Sequence, residues 1–288
     1  MKKILVTGGA GFIGSHLCEE LIKIKSNKIF SLDNYSTGSQ RNHIEGVDYI
    51  SGSTAQIGST INFVPDIVYH LGEYSRVEQS FDDLDAIRES NFNGTFSVLQ
   101  FCKNHKCKLV YAGSSTKFGD NGEGKSQSPY GYSKAANTEL VENFGRWFGL
   151  QYAIVYFYNA YGPREIRTGK YATLIALFAE LMSAGKDLTV VSPGDQVRNF
   201  THVKDVATGL ALVGEKGSGD GFGIGNDREY SILEVAKLFA GRISMLQERP
   251  GNRMSADLVV SKTKNLGWKT QHKLEDYIEK LRANNWVD

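Results

Sequence analysis

Tyr130 and Lys134 stand four residues apart in the segment Pro129-Tyr130-Gly131-Tyr132-Ser133-Lys134, a spacing that places both side chains on one face of a helix. A tyrosine with its ordinary pKa of about 10 is a poor base at neutral pH, but a neighbouring ammonium stabilises the phenolate. The pair therefore predicts a proton acceptor, Tyr130, that is supported by Lys134. Tyr132 lies outside this spacing and is the tyrosine most easily mistaken for the base.

A hydroxyl group for the same site follows a predicted strand over residues 109–112. That strand ends in Gly113-Ser114-Ser115-Thr116, and ligands of open parallel sheets bind at the carboxyl ends of the strands. We expect Ser114 to donate or accept a hydrogen bond with a substrate hydroxyl and so orient it. Ser115 is interpreted as part of a turn that caps the following loop.

A glycine-rich loop comes directly after the first predicted strand. Residues 7–14 read TGGAGFIG, with Gly8, Gly11 and Gly14 in the spacing GxxGxxG and with Phe12 and Ile13 opening a helix. Small residues let the backbone approach a pyrophosphate, whose charge faces the N–H groups at the helix start. Gly14 allows the helix to pack tightly on the strand. The loop predicts a dinucleotide site.

Asp33 ends the second predicted strand, about 20 residues beyond the loop. Its carboxylate can accept hydrogen bonds from both hydroxyls of an adenosine ribose, whereas a 2′-phosphate would be repelled by the like charge. No arginine follows Asp33 directly to compensate. The cofactor is therefore predicted to be NAD rather than NADP.

Apolar runs and helical patterns alternate along the first half of the chain, which predicts βαβ units and a parallel sheet. The expected strands cover 4–6, 29–32, 67–71, 109–112 and 152–157, and the expected helices cover 12–25, 84–103 and 132–148. Past Pro163 the pattern loosens into a helix over 171–184, a strand over 188–191, a helix from Val203, and two more near Ser231 and Leu274. We predict an α/β fold with a doubly wound Rossmann domain in residues 1–165, return segments near 198–215, and a smaller, interrupted α/β lobe in 166–288.

Composition excludes several classes of function. The 33 basic and 32 acidic residues nearly cancel, which argues against a nucleic acid or an anionic membrane as partner. No stretch approaches the roughly 20 apolar residues of a membrane span. The three cysteines, Cys18, Cys102 and Cys107, form no CxxC pair and are expected to be reduced and packed, as in a cytoplasmic protein. No metal site is predicted.

Further motifs extend the pattern over nearly the whole chain. They are Asp33-Asn34, His70-Leu71-Gly72, Asn159-Ala160-Tyr161-Gly162-Pro163-Arg164, the run from Arg198 to Val206, and Leu266-Gly267-Trp268. With the glycine loop, Ser114 and the Tyr–Lys pair, they make the chain resemble the extended short-chain dehydrogenase/reductases, and within them the nucleotide-sugar epimerases and dehydratases.

This resemblance implies further roles. Asn34 and Leu71 are expected to contact NAD, and Lys134 to hold its nicotinamide ribose. Arg198 and Arg249 are expected to clamp the diphosphate of a nucleotide sugar, since the arginine fork donates in pairs, and Asn159 to contact the near phosphate or the sugar. His70 becomes a packing and backbone-positioning residue. A UDP-sugar is the favoured substrate, and a homodimer formed through the helices over 84–103 and 132–148 is the expected assembly.

Departures from the family pattern bear on the reaction. Ser53, Tyr156 and Gly72 replace an aspartate, an arginine and an alanine that relatives often carry, and residues 72–78, GEYSRVE, are distinctive and expected to shape substrate choice. Relatives that dehydrate carry an Asp–Glu pair where this chain has Ser115 and Thr116. Neither hydroxyl replaces a carboxylate acid and base near neutral pH, so a 4,6-dehydratase or an acid-requiring decarboxylase is disfavoured.

The sequence thus predicts a nucleotide-sugar 4-epimerase that oxidises C4 transiently, with a C4 dehydrogenase as the second hypothesis. A hypothesis of another class is a sensor or scaffold that only binds NAD. The intact set of Ser114, Tyr130 and Lys134 argues against that class.

Overall fold

A parallel sheet forms the centre of the computed structural model, which describes residues 1–248, 254–255 and 257–288. The strands of this seven-stranded sheet are β1 (Lys2–Thr7), β2 (Asn27–Asp33), β3 (Asp48–Ser51), β4 (Ile67–His70), β5 (Lys108–Ser114), β6 (Tyr152–Phe157) and β11 (Gly219–Ile224). Their order is β11-β6-β5-β4-β1-β2-β3, and every neighbouring pair is parallel. The predicted α/β class with a doubly wound Rossmann sheet is confirmed.

Helices cover both faces of the sheet. They are α1 (Phe12–Leu21), α2 (Ile57–Thr60), α3 (Leu84–Ile87), α4 (Thr95–His105), α5 (Pro129–Phe148) and α7 (Val203–Lys216). Leu17 and Leu210 belong to the apolar core on one face, and Val98 and Val141 to the core on the other. A strand that is buried on both faces of a sheet is apolar along most of its length. The central strands therefore appear in the sequence as continuous apolar runs.

The remaining elements build the smaller lobe and its connections. They are β7 (Ala160–Tyr161), α6 (Leu174–Ser183), β8 (Leu188–Val191), β9 (Val197–Asn199), β10 (Thr201–His202), β12 (Glu229–Ser231), α8 (Ile232–Phe239), β13 (Ile243–Leu246), α9 (Ser261–Asn265) and α10 (Leu274–Ala283). A third apolar core includes Phe178, Leu188, Phe239 and Ile278. Helices α6, α8 and α10 therefore enclose the short parallel pair of β8 and β13.

Several predicted boundaries differ from the structure. The helix predicted over 12–25 ends at Leu21; Ile22 still packs against the core, whereas Ile24 is exposed. The helix predicted over 171–184 begins only at Leu174, since Thr173 has extended dihedrals. The helix predicted over 84–103 is divided by a π-helical segment, Arg88–Gly94.

The chain returns to the main sheet through α7, which overlaps the predicted segments near 198–215, and then through β11. Strand β11 pairs with β6 through Phe222 and Ile224, so residues 219–224 belong to the sheet although the predicted boundary placed them in the smaller lobe. One edge of the sheet is therefore formed by a strand that follows α7 in sequence.

All three cysteines are free and buried. Cys18 and Cys102 pack in the cores on opposite faces of the sheet, which fits the expectation that each acts as a small apolar side chain. Among the described residues, no helix combines the length and the apolar content needed to cross a bilayer.

Candidate active site

A cavity of about 710 Å³ opens along the carboxyl edge of the sheet. Loops after β1, β2, β4, β5 and β6 meet at this edge, as expected for a ligand site in a doubly wound sheet. Of the site residues predicted from the sequence, the cavity is lined by Gly8, Gly11, Phe12, Ile13, Gly14, Asp33, Asn34, Leu71, Ser114, Tyr130, Lys134, Asn159 and Arg198. Arg249 lies outside the described residues.

The glycine loop leaves no room for side chains. Gly8 has φ +75°, and a Cβ built on Gly14 would lie 2.0 Å from the Gly8 carbonyl oxygen. A Cβ on Gly8 would come within 3.0 Å of the Gly72 backbone. The loop therefore folds back on the start of α1 with bare backbone facing the cavity. This is the cradle that the pyrophosphate of NAD requires.

Asp33 is held at the end of β2 by two backbone donors. Its Oδ2 accepts from the Ala10 amide and its Oδ1 from the Tyr35 amide, both at 2.8 Å. A carboxylate has about four acceptor positions, so Asp33 keeps acceptor capacity for the ribose hydroxyls of NAD. Ser53 also lines the cavity, and its hydroxyl accepts from the Ala55 amide.

Tyr130 and Lys134 stand at the beginning of α5 because the helix starts sharply. Ser128 caps it by accepting from the Gly131 amide at 3.0 Å, and Pro129 is the first helical residue, a position at which proline costs no hydrogen bond. Both side chains are buried and face the cavity. Lys134 donates to the Ala112 carbonyl oxygen and to Glu73, and its ammonium lies 4.8 Å from the centre of the Tyr111 ring.

Glu73 lies in the stretch 72–78 that was expected to shape substrate choice, but the sequence analysis assigned it no role of its own. Its side chain is only 2% exposed and forms an ion pair with Lys134, which is 6% exposed. Oε1 also accepts from Thr95 at 2.8 Å, Tyr111 at 3.2 Å and Asn137 at 3.0 Å. A buried charge pair is tolerated when its remaining polar atoms are also satisfied. The available signal was a carboxylate just past the end of β4, at the edge where Ser114 also lies.

His70 connects β4 to this network without facing a reacting group. Its Nδ1 lies 2.8 Å from Thr7 Oγ1 and its Nε2 lies 3.0 Å from Thr95 Oγ1. Burial lowers the pKa of His70 to about 4, so the ring is neutral at physiological pH. The geometry agrees with the packing and positioning role implied by the family resemblance.

The loop after β4 is attached to α5 by Asn91, which lies in the π-helical segment. Asn91 Oδ1 accepts from the Tyr74 amide at 2.7 Å, and its Nδ2 donates to Ser133 Oγ at 2.9 Å. Such π-turns recur at functional sites. Here the turn fixes residues 73–76 against the helix that carries Tyr130.

Ser114 is the last residue of β5, and its hydroxyl oxygen accepts hydrogen bonds from the turn that follows. Its Oγ accepts from the Thr116 amide at 3.3 Å and from Thr116 Oγ1 at 2.9 Å. Ser114, Ser115 and Thr116 all line the cavity. At this edge of β5 the cavity is therefore walled by hydroxyl groups.

The far end of the cavity carries the side chains predicted to meet the nucleotide. Asn159, with φ +39°, donates through Nδ2 to the Asn199 carbonyl oxygen at 3.0 Å. Arg198 donates through Nη1 to the carbonyl oxygens of Val197 at 2.8 Å and Met254 at 3.2 Å. Asn159 follows β6, and Arg198 lies in β9.

Comparison with known proteins places this geometry in a family. The model of the NAD dependent epimerase/dehydratase family matches residues 4–225. A UDP-N-acetyl-alpha-D-glucosaminuronate decarboxylase of Bacillus cytotoxicus is 35% identical over 82% of this chain and 78% of its own length. A dTDP-D-glucose 4,6-dehydratase of Dictyostelium discoideum is 29% identical over 100% of this chain and 84% of its own.

A solved structure extends the likeness to three dimensions. The UDP-glucose 4-epimerase of Thermus thermophilus, crystallised in complex with NAD, superposes with a TM-score of 0.86 at 27% identity. The match covers 99% of this chain and 98% of that one. The resemblance inferred from the motifs is confirmed. The chain belongs to the NAD-dependent epimerase/dehydratase family, and its cofactor is NAD.

Proposed function

We propose that this enzyme is a nucleotide-sugar 4-epimerase that acts on a UDP-sugar. The observation that carries the proposal is the wall of the cavity beside Tyr130. It combines the Tyr130–Lys134 pair and Ser114 with hydroxyls at Ser115 and Thr116, where elimination would need a carboxylic acid and a carboxylate.

The pocket residues divide the chemistry among them. Ser114 and Tyr130 would hold the C4 hydroxyl of the sugar, and Tyr130 would take its proton as C4 becomes a ketone. NAD, when bound, supplies the acceptor for the hydride from C4 and the donor that returns it. Lys134 would hold the ribose next to the nicotinamide and keep a positive charge near the Tyr130 oxygen. Tyr130 then returns the proton to the oxygen of the opposite epimer.

Glu73 does not supply the acid that a dehydration would need. Its oxygens already accept hydrogen bonds from Lys134, Thr95, Tyr111 and Asn137. These four contacts hold the carboxylate against Lys134 and the helices, so it is not presented to the cavity as a free acid. We therefore assign Glu73 to the positioning of Lys134.

The two parts of the chain are assigned to the two ligands, NAD and the nucleotide sugar. We propose that the Rossmann domain binds NAD and that the smaller lobe, predicted as residues 166–288, binds the nucleoside diphosphate. Asn159, Arg198 and Arg249 are the proposed contacts to the diphosphate and sugar. Arginines at such a site can donate two parallel hydrogen bonds to one phosphate.

The proposal is tested by incubating the protein with NAD and a panel of UDP-, GDP-, CDP- and dTDP-sugars. Products are separated by chromatography and weighed by mass spectrometry. A new retention time at unchanged mass supports epimerisation. Loss of two hydrogens would instead identify a C4 dehydrogenase, and loss of water would contradict the assignment of Ser115 and Thr116.

Two tyrosine variants connect the activity to the assigned base. Tyr130→Phe is expected to reduce turnover by about two to four orders of magnitude, the usual contribution of a general acid–base group, while NAD still binds. Tyr132→Phe is the matched control, because Tyr132 lies two residues away on the same helix and is exposed. Equal activity of the two variants would contradict the assignment. NAD binding without turnover of any sugar would favour a sensor or scaffold.

A further inference from the structure

Arg76 is a cation in the cavity that the steps above do not use. It lies in the loop after β4 and lines the same cavity as Tyr130 and Ser114. The loop is held against α5 through the Asn91 contacts to Tyr74. The position of Arg76 is therefore defined by the elements that also place the catalytic tyrosine.

Within the described part of the chain, Arg76 forms no ion pair, and the carboxyl of Glu165, which acts on its pKa, is largely protonated near neutral pH because burial raises its own pKa to about 8. Nε donates to the Tyr171 carbonyl oxygen at 3.0 Å, and Nη1 donates to Ser75 O and Ser75 Oγ, both at 3.1 Å. These acceptors are neutral. Lys134, by contrast, has Glu73 as its counter-charge. Of these two cations, Arg76 is therefore the one that can pair with a negative charge on a ligand.

The direction of the guanidinium is restricted by these hydrogen bonds. They use Nε and Nη1, and the hydrogen bonds of the described residues place no acceptor on Nη2. Burial lowers the pKa of Arg76, and the neighbouring groups that raise it include Tyr130, Tyr74 and Glu165. Arg76 and Tyr130 line the same cavity, so both can act on one bound ligand.

Arg76 shares the cavity with Tyr130 and Ser114, so in the proposed binding mode its guanidinium would meet the sugar ring. The C4 hydroxyl must lie within hydrogen-bond reach of Tyr130, so the substituents closest to Arg76 are those on the neighbouring ring carbons. A partly desolvated arginine with free donors binds a carboxylate better than a hydroxyl, because ionic hydrogen bonds are shorter and stronger.

We propose that Arg76 recognises a carboxylate on the sugar, and that the enzyme's substrate is a nucleotide-linked hexuronic acid. This inference rests on the proposed function and narrows its substrate class. The carboxyl carbon is attached to C5, next to the carbon that is oxidised. Arg76 is in this account a specificity-determining residue that contacts the substrate.

Binding measurements test the inference without requiring turnover. Calorimetric titrations of the NAD-saturated protein with UDP-glucuronate, UDP-glucose and UDP compare an acidic sugar, a neutral sugar and the nucleotide alone. We expect the wild-type protein to bind UDP-glucuronate roughly ten- to a hundredfold more tightly than UDP-glucose, the range for hydrogen bonds to a charged group.

Substitution of Arg76 should remove this preference and leave the rest of the binding energy in place. Arg76→Met is expected to lower the affinity for UDP-glucuronate to that for UDP-glucose. The dissociation constants of UDP-glucose and UDP should change by less than roughly threefold. Arg76→Lys keeps the charge without the fork and should retain part of the preference. Arg242→Met is the control, since Arg242 pairs with Asp187 and is exposed.

The possible results separate this inference from the proposed function. A wild-type protein that binds UDP-glucose as tightly as UDP-glucuronate overturns the role of Arg76, even if Arg76→Met does not fold. Equal weakening of all three ligands in Arg76→Met assigns Arg76 to the diphosphate and also overturns it. Failure of every nucleotide sugar and of UDP to bind overturns the proposed function itself.

Discussion

Glu73 shows at the scale of a residue how the site depends on a contact between distant parts of the chain. Its carboxylate and the Lys134 ammonium are 61 residues apart in sequence and form a buried ion pair. The sequence placed Lys134 on the correct helical face, because that spacing is local. It could not identify the counter-charge, because the approach of α5 to the loop after β4 is set by tertiary packing.

Removal of Glu73 is predicted to be costly for stability. Glu73→Ala leaves the Lys134 ammonium buried without a counter-charge, so the free energy of unfolding should fall by about 3–5 kcal/mol. Urea denaturation measures this change. Asp227→Ala is the control, because the Asp227–Lys264 pair is exposed at 65% and 42% and should contribute less than about 1 kcal/mol.

The double variant Glu73→Ala/Lys134→Met should recover part of the loss, since it removes the unpaired charge. If Glu73→Ala costs no more than Asp227→Ala, the buried pair does not have the assigned role.

Glu165 gives the fold a pH dependence of known sign. Burial raises the pKa of its carboxyl from 4.5 to about 8, although it accepts from the Gly162 amide at 2.9 Å and from Thr173 at 2.6 Å. The folded state therefore binds a proton that the unfolded state releases between those values. Stability contributed by the protonated form is fully present below about pH 4.5 and is lost as the pH rises towards about 8.

Glu165→Gln should abolish this dependence, because the amide remains neutral and can still accept from Gly162 and donate to Thr173. We expect the variant to exceed the wild-type free energy of unfolding by a few kcal/mol at pH 8 and to approach it at pH 5. Urea unfolding at the two pH values measures the difference. A constant difference between the proteins at both values would contradict the assignment.

At the scale of elements, the turn from β1 into α1 depends on glycine for steric reasons. A Cβ on Gly14 would meet the Gly8 carbonyl oxygen at 2.0 Å, so Gly14→Ala must displace the backbone that faces the cofactor. We expect the NAD dissociation constant to rise by at least about tenfold, which corresponds to roughly 1.4 kcal/mol, and the melting temperature to fall.

Gly58→Ala is the matched control for this substitution. Gly58 lies in α2, and a Cβ built there would meet nothing within 4 Å. Alanine should therefore leave NAD binding unchanged and stabilise the protein slightly, since glycine has more conformational entropy to lose on folding. The dissociation constant of each variant is measured by following the protein's tryptophan fluorescence as NAD is added. Similar NAD affinities for the two would show that the loop adapts.

The elements that could be predicted from sequence were those with a local signal. Strand β6 and helix α10 begin where the apolar pattern indicated, and Gly149 ends α5 in a left-handed conformation. Strand β11 was not predicted, because its sequence GDGFGI places glycine at every second position and buries few apolar side chains. Its place at the edge of the sheet follows from pairing with β6, which is a long-range contact.

At the scale of the whole molecule, exposed aromatic side chains mark one surface. Phe96 on α4 and Tyr132, Trp147 and Phe148 on α5 are 45%, 62%, 60% and 50% exposed. The rings of Phe96, Trp147 and Phe148 surround Phe144, with ring centres 5.1–6.3 Å from it. A clustered apolar surface of this kind is typical of a protein–protein interface. We predict a homodimer that packs α4 and α5 of two chains together.

The double variant Phe96→Asp/Trp147→Glu should raise the dimer dissociation constant by at least about a hundredfold, since hot-spot aromatics each contribute roughly 2 kcal/mol or more. Light scattering at micromolar concentration measures the mass. Val64→Glu is the control, because Val64 is 53% exposed and lies outside these helices. A wild-type protein with the mass of a monomer would contradict the prediction.

As a 4-epimerase, the enzyme would remove a hydrogen from C4 of the sugar and return it to the other face of the same carbon. The most direct test uses a nucleotide sugar that the panel identifies as a substrate, prepared with deuterium at C4 and incubated with the NAD-loaded protein in ordinary water. The proposed mechanism predicts an epimer of unchanged mass that keeps its deuterium on C4, as measured by mass spectrometry and NMR. A product that has lost the label from C4, or one that has lost water, would contradict it.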